Sequence, residues 1–176
     1  MTTLTTVKDS LIVIMGVSGT GKSSLAQQIA TDLEAEYVDA DDHHSDEAKE
    51  MMSAGIPLND GIRDAWITRL KRHILATLGN HQSCVLAYSG LKTRQRKRII
   101  DCSKNTQCFL LDVPYAILEQ RLASRTQFEG HFFNPDLLQS QFDSFEAITP
   151  DENVHKLDGT LKLETLSQIV LNKLLS

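Results

Sequence analysis

The sequence predicts an α/β domain built on a five-stranded parallel sheet, and three observations point there. Five short apolar runs alternate along the chain with longer segments of helical period. A glycine-rich stretch joins the first apolar run directly to the first helical segment. At 176 residues the chain is long enough for one sizeable core and cramped for two.

Taken in order, strands are expected over residues 11–15, 36–39, 83–88, 107–112 and 153–157. Helices are expected over 22–33, 60–78, 92–100, 114–124, 135–145 and 161–174. Pro114 and Pro135 suit a first helical turn, and Asp60 is placed to cap the helix after it. Residues 1–10 lack both a basic start and an apolar stretch, so they read as a loose leader rather than a signal peptide. No internal repeat or low-complexity linker divides the chain, which implies a single domain over 1–176.

Composition narrows the function classes. No run approaches the ~20 apolar residues of a membrane span. The acidic balance, 23 Asp and Glu against 18 Lys and Arg, argues against a nucleic-acid partner. The basic run at 94–98 (R-Q-R-K-R) is therefore read as a solvated helix face with Arg96 turned inward. Cys84, Cys102 and Cys108 show no C-x-x-C spacing, and Cys84 and Cys108 sit inside apolar runs. Buried thiols in a reduced, cytoplasmic setting follow.

The strongest chemical signal is the eight-residue pattern G-V-S-G-T-G-K-S: Gly16, Val17, Ser18, Gly19, Thr20, Gly21, Lys22 and Ser23, with Ser24 next. It lies behind a strand and opens a helix, the context in which such a P-loop wraps backbone N–H groups around phosphate oxygens. Lys22 is then expected on the β- and γ-phosphates of ATP, and the Ser23 hydroxyl on Mg²⁺. The guanine-reading N-K-x-D is absent, which argues against a GTPase. Instead the second strand ends in Asp39-Ala40-Asp41-Asp42-His43-His44, at the carboxyl edge where parallel sheets bind ligands. Asp39 is placed to hold the metal, through water, or to take a hydroxyl proton, and Asp41 to bind substrate hydroxyls. A zinc site from these acids and histidines, or a merely solvated acidic loop, stays open at this point.

These residues and those that follow resemble the gluconate kinases, relatives of shikimate kinase among the small P-loop metabolite kinases. The resemblance rests on 16–23, on D-A-D at 39–41, on G-I-P-L-N-D-G-I-R-D-A-W at 55–66, on S-G-L-K at 89–92, on G-H-F at 130–132 and on L-L-Q-S-Q-F at 137–142, in that order. It implies a P-loop kinase fold with a lid near 125–134, ATP-dependent phosphorylation of D-gluconate to 6-phosphogluconate, and a homodimer. It also implies residue roles. Lys22, Asp39 and Arg125 would be catalytic; Asp41, Arg63, Ser89, Gly90, Lys92 and His131 would bind the sugar acid; Arg121 would lie near the adenine. For Arg63 chemistry agrees, since a guanidinium fork binds a carboxylate bidentately. Arg121 and Arg125, four residues apart, share one helix face. Trp66 and Phe132 are either an apolar wall of the site or core. The family's pattern is broken at Ile62, Ala65, Tyr88, Gly90 and Gln95 and by the longer lid. A kinase for another hydroxylated acid, or a nucleotide-binding protein without turnover, therefore remains open.

Overall fold

The computed structural model describes residues 7–129 and 135–176. Five strands form one parallel sheet in the order β2-β3-β1-β4-β5. They are β1 (Leu11–Met15), β2 (Glu36–Asp39), β3 (Cys84–Tyr88), β4 (Thr106–Asp112) and β5 (Val154–Asp158). Among the described residues seven α-helices accompany them: α1 (Lys22–Asp32), α2 (Asp46–Ser53), α3 (Asp60–Gly79), α4 (Thr93–Ile100), α5 (Tyr115–Glu129), α6 (Pro135–Ser144) and α7 (Leu163–Leu174).

Period-two alternation divides the core between the two faces of the sheet. Leu11, Val13 and Met15 of β1 pack with Trp66, Ile67, Leu70 and Ile74 of α3, while Ile12 and Ile14 pack with Leu25 and Ile29 of α1 and Val170 of α7. Both faces are covered, which is why β1 and β3 read as unbroken apolar runs. Cys84 and Cys108 are buried and their thiols are pushed up to about 12 by that burial. Among the described residues the cysteines are unpaired, and no helix is long and apolar enough to cross a membrane.

Three expectations need correction. Asn59, not Asp60, caps α3, its side chain accepting from the Ile62 N–H at 2.9 Å. Helix α2 was absent from the expectations; Ser45 caps it by accepting from the Ala48 N–H at 3.1 Å, with Asp46 and Glu47 in the first turn. The leader is not loose to residue 10: Ser83 donates its hydroxyl to the Val7 carbonyl, and the Cys84 N–H donates to the Ser10 carbonyl at 3.0 Å.

In the basic run Arg96 turns inward and Arg94 stays exposed, as expected, but the outer arginines are paired rather than simply solvated. Arg94 and Arg98 pair with Asp64 at 3.3 Å each. Arg96 is fully buried, its Nε and Nη2 gripping Glu152 at 2.6 and 3.0 Å. Its Nη1 donates to the carbonyls of Gly90 at 2.8 Å and Glu146 at 2.9 Å. One guanidinium thus ties the turn after β3 to residues 146–152.

Candidate active site

The phosphate loop joins β1 to α1. Gly21, the residue before α1, has φ +89°, a left-handed conformation that disfavours any residue with a Cβ. No side chain caps α1, so its first-turn N–H groups and its positive end are left for an anion. The loop braces itself through the Thr20 N–H and hydroxyl, both donating to the Val17 carbonyl at 3.4 and 2.9 Å. Arg121 of α5 braces it from outside, donating to the carbonyls of Gly19 at 3.2 Å and Gly159 at 3.0 Å.

Beside the loop, Ser23 donates its hydroxyl to Asp39 Oδ2 at 3.4 Å, and Tyr37 donates to the same oxygen at 3.1 Å. Burial first, and then the Asp39 charge, raises the Tyr37 hydroxyl above its ordinary value, which keeps it a donor. The other carboxylate oxygen accepts from the Asp41 N–H at 2.9 Å. This is a corner of hard oxygens suited to Mg²⁺. Among the described residues no three His, Cys, Asp or Glu side chains converge as metal ligands, and His43 turns to His73 while His44 stacks on Trp66.

A cavity of about 470 Å³ opens from the loop toward α3 and α6. Ser18 and Lys22 form its donor side; Asp41, His44, Arg63, Trp66, Ser89 and Gln141 line the rest. Arg63 is 13% exposed, and its nearest carboxylate, Asp60 at 3.6 Å, is largely in solvent, which leaves the guanidinium available to a ligand. Desolvation alone would raise the Asp41 carboxyl, but the His44 imidazole 3.6 Å away and the Lys22 charge outweigh it and hold the group below its ordinary value. Asp41 is therefore an anion facing the cavity. His44 is aligned by its stack on Trp66, ring centroids 4.0 Å apart, and its Nε2 lies 3.6 Å from Asp41. Its Nδ1 is buried without a partner among the described residues, so the tautomer with the proton on Nε2 is favoured. Trp66 is anchored in turn by donating Nε1–H to the Ala40 carbonyl at 2.6 Å. It is both core and cavity wall.

Not every expected acceptor residue reaches this cavity. Gly90 lies just behind it at φ +67°, where an added Cβ would meet the Met15 sulfur at 2.8 Å. Lys92 pairs with Glu146 at 3.4 Å and is not among the lining residues. Asp39 faces the metal corner instead. Ile62, Ala65 and Tyr88, where the family's pattern breaks, do not line the cavity either, and Tyr88 is buried against Trp66. A second cavity of about 500 Å³ on the other side of the loop is lined by Gly19, Gly21, Arg121 and Arg125 among others. Arg125 sits on α5, which runs five residues past the expected end, rather than in a loop. His131 and Phe132 lie outside the described residues.

Sequence reasoning missed three contributors. His44 was weighed only as a metal ligand, Glu152 not at all, and Gln141 only as part of a motif. The signals for His44 and Gln141 were their places in the D-A-D-D-H-H and L-L-Q-S-Q-F stretches. Nothing local marks Glu152, which meets Arg96 across 56 positions of sequence.

Comparisons with known proteins agree with this geometry. A family model described as an AAA domain matches residues 11–148. A probable gluconokinase of Dictyostelium discoideum is 39% identical over 148 residues, covering 81% of this chain and 72% of that protein. The crystal structure of a sugar kinase from Janibacter sp. HTCC2649 superposes with a TM-score of 0.85 at 34% identity, covering 93% of this chain and 92% of the other. A gluconokinase structure from Sinorhizobium meliloti 1021 superposes at 0.81 with 27% identity, covering 94% and 91%. With a self-braced phosphate loop beside a cavity that carries a guanidinium, and with relatives matched over most of both chains, this chain belongs to the gluconokinase family of P-loop kinases.

Proposed function

We propose that this protein transfers the γ-phosphoryl group of ATP to the terminal hydroxyl of D-gluconate, giving ADP and 6-phosphogluconate. One observation carries it: Arg63 and Lys22 line the same cavity, so a carboxylate held at one end leaves the far hydroxyl of a sugar acid near the phosphate loop. Arg63 binds the carboxylate, and Asp41 and Ser89 hydrogen-bond hydroxyls. Gly90 shapes the turn that presents Ser89, and Lys92 acts through Glu146. The hydroxyl oxygen forms its bond to γ-phosphorus as the bond to the β–γ bridging oxygen breaks, and its proton passes late to Asp41. A loose transition state asks little of that base, so a carboxylate of lowered basicity suffices. Lys22, with the loop and first-turn N–H groups other than those of Ser18 and Thr20, neutralises charge on the phosphates. Ser23 and Asp39 would hold Mg²⁺, which would supply further neutralisation of phosphate charge. Arg121 and Arg125 face the nucleotide side of the loop. A cytoplasmic setting accords with the unpaired thiols, and a homodimer with the family resemblance.

The test is a coupled ADP-release assay across gluconate, other sugar acids, shikimate and nucleoside monophosphates. Gluconate should give the highest kcat/KM. Turnover of a different acid with gluconate silent, or ATP binding with no acceptor-dependent turnover, would overturn the proposal.

A further inference from the structure

Helix α6 reaches the phosphate loop through a side-chain carboxamide. Gln141 accepts the Ser18 backbone N–H through Oε1 at 2.8 Å, across 123 positions of sequence. Because a backbone N–H can only donate, this bond fixes which end of the carboxamide faces the loop. The other end, the Nε2 amide, has no hydrogen-bond partner among the described residues. Gln141 and Ser18 both line the acceptor cavity, with Lys22, Asp41 and Arg63.

The helix is held so that this contact is reproducible. Leu138 is buried in a cluster with Val17 of the phosphate loop, Val113 and Leu118, and Phe142 packs on the same cluster, its ring edge-on to Tyr115 at 5.1 Å between centroids. Leu137, Ser140 and Gln141 occupy the neighbouring stripe and line the cavity. The spacing of the L-L-Q-S-Q-F stretch thus clamps one stripe of α6 to the loop and offers the next to the acceptor.

We infer that Gln141 is an acceptor-binding and specificity residue, oriented by its bond to the phosphate loop. It holds the third residue of the phosphate loop with its carbonyl and donates its amide N–H to a hydroxyl oxygen of the bound polyhydroxy acid beside the transferred phosphoryl group. This rests on the proposed function only in placing a hydroxylated acid in the cavity. Acceptor hydroxyls that match the amide gain affinity and a fixed orientation for attack. An acid lacking a hydroxyl there leaves a polar group unpaired, which disfavours it.

The test compares wild type with Gln141→Leu, which removes both contacts, and Gln141→Glu, which keeps an acceptor for Ser18 but loses the amide donor and adds a charge. Initial rates are measured against gluconate and against ATP, with acceptor-free ATP hydrolysis and Tm recorded for each. For Gln141→Leu, gluconate kcat/KM should fall roughly 3- to 10-fold, the weight of one neutral hydrogen bond, with KM for ATP essentially unchanged. Gln141→Glu should lose more than Gln141→Leu, because its carboxylate faces an anionic acceptor. Unchanged gluconate kinetics in both variants, or equal losses for ATP and gluconate, would overturn the inference. Wild-type turnover with gluconate is scored separately, so failure of the function itself is distinguishable from failure of this assignment.

Discussion

The phosphate loop is shaped by short-range bonds of its own and braced from outside by Arg121 and Gln141, whereas the acceptor cavity beside it is assembled entirely from side chains on elements far apart in sequence. In the loop, Thr20 closes on Val17 three residues back and Gly21 turns the chain into α1. In the cavity, Asp41 and His44 follow β2, Arg63 and Trp66 lie on α3, Ser89 follows β3, and Gln141 comes from α6. Support for that second half is remote as well: Trp66 aligns His44, which holds Asp41, while Arg96 and Glu152 secure the turn at Gly90. A site made of backbone tolerates change around it. A site made of converging side chains depends on every element that aims them.

The largest effect expected from this contrast is at Glu152. Glu152→Gln strands the fully buried Arg96 charge, which should cost about 3–5 kcal/mol and lower Tm on the order of 10 °C. Burial alone would raise the Glu152 carboxyl, but the Arg96 hydrogen bonds and the Thr149 N–H hold it below its ordinary value of 4.5. A depressed carboxyl stabilises the fold fully above that ordinary value and loses the contribution as pH falls through the lower folded value. The gap in Tm between wild type and variant should therefore be widest near neutrality and narrow under acid, as read from thermal melts across pH. A gap that widens on acidification would contradict the pairing.

A smaller change sharpens the same comparison. Trp66→Phe keeps an aromatic face for His44 but leaves the Ala40 carbonyl without its donor, at a cost of about 1–2 kcal/mol. KM for gluconate should rise a few-fold through misaligned His44 and Asp41, while ATP affinity, measured by titration calorimetry, stays put. Matching losses on both substrates would mean that the two halves are not separately supported.

That difference in construction also explains how much was legible in sequence. All five strands and the phosphate loop were, because alternation, glycine spacing and strand-to-helix context are local properties. Arg63, Asp41 and Ser89 were legible through a family motif, and the structure brings all three to one cavity with Lys22. Lys92 was misplaced because a basic residue after a strand looks the same whether it faces a ligand or Glu146. That Arg96 turns inward was legible, but the partners of the run at 94–98, Asp64 and Glu152, were not, because they lie about 30 and 56 positions away. Helix α2 was overlooked although Ser45 and the acids after it carry a start signal, since eight residues show too little period.

The separation of donor from acceptor is tested most directly by steady-state kinetics of Arg63→Ala with gluconate and ATP varied in turn. Loss of a charge-assisted pair predicts a KM for gluconate raised roughly 10- to 100-fold, with KM for ATP within about twofold of wild type. Arg63→Lys should recover little, because an ammonium does not offer the bidentate fork. Equal losses for both substrates, or an unchanged KM for gluconate, would contradict the account.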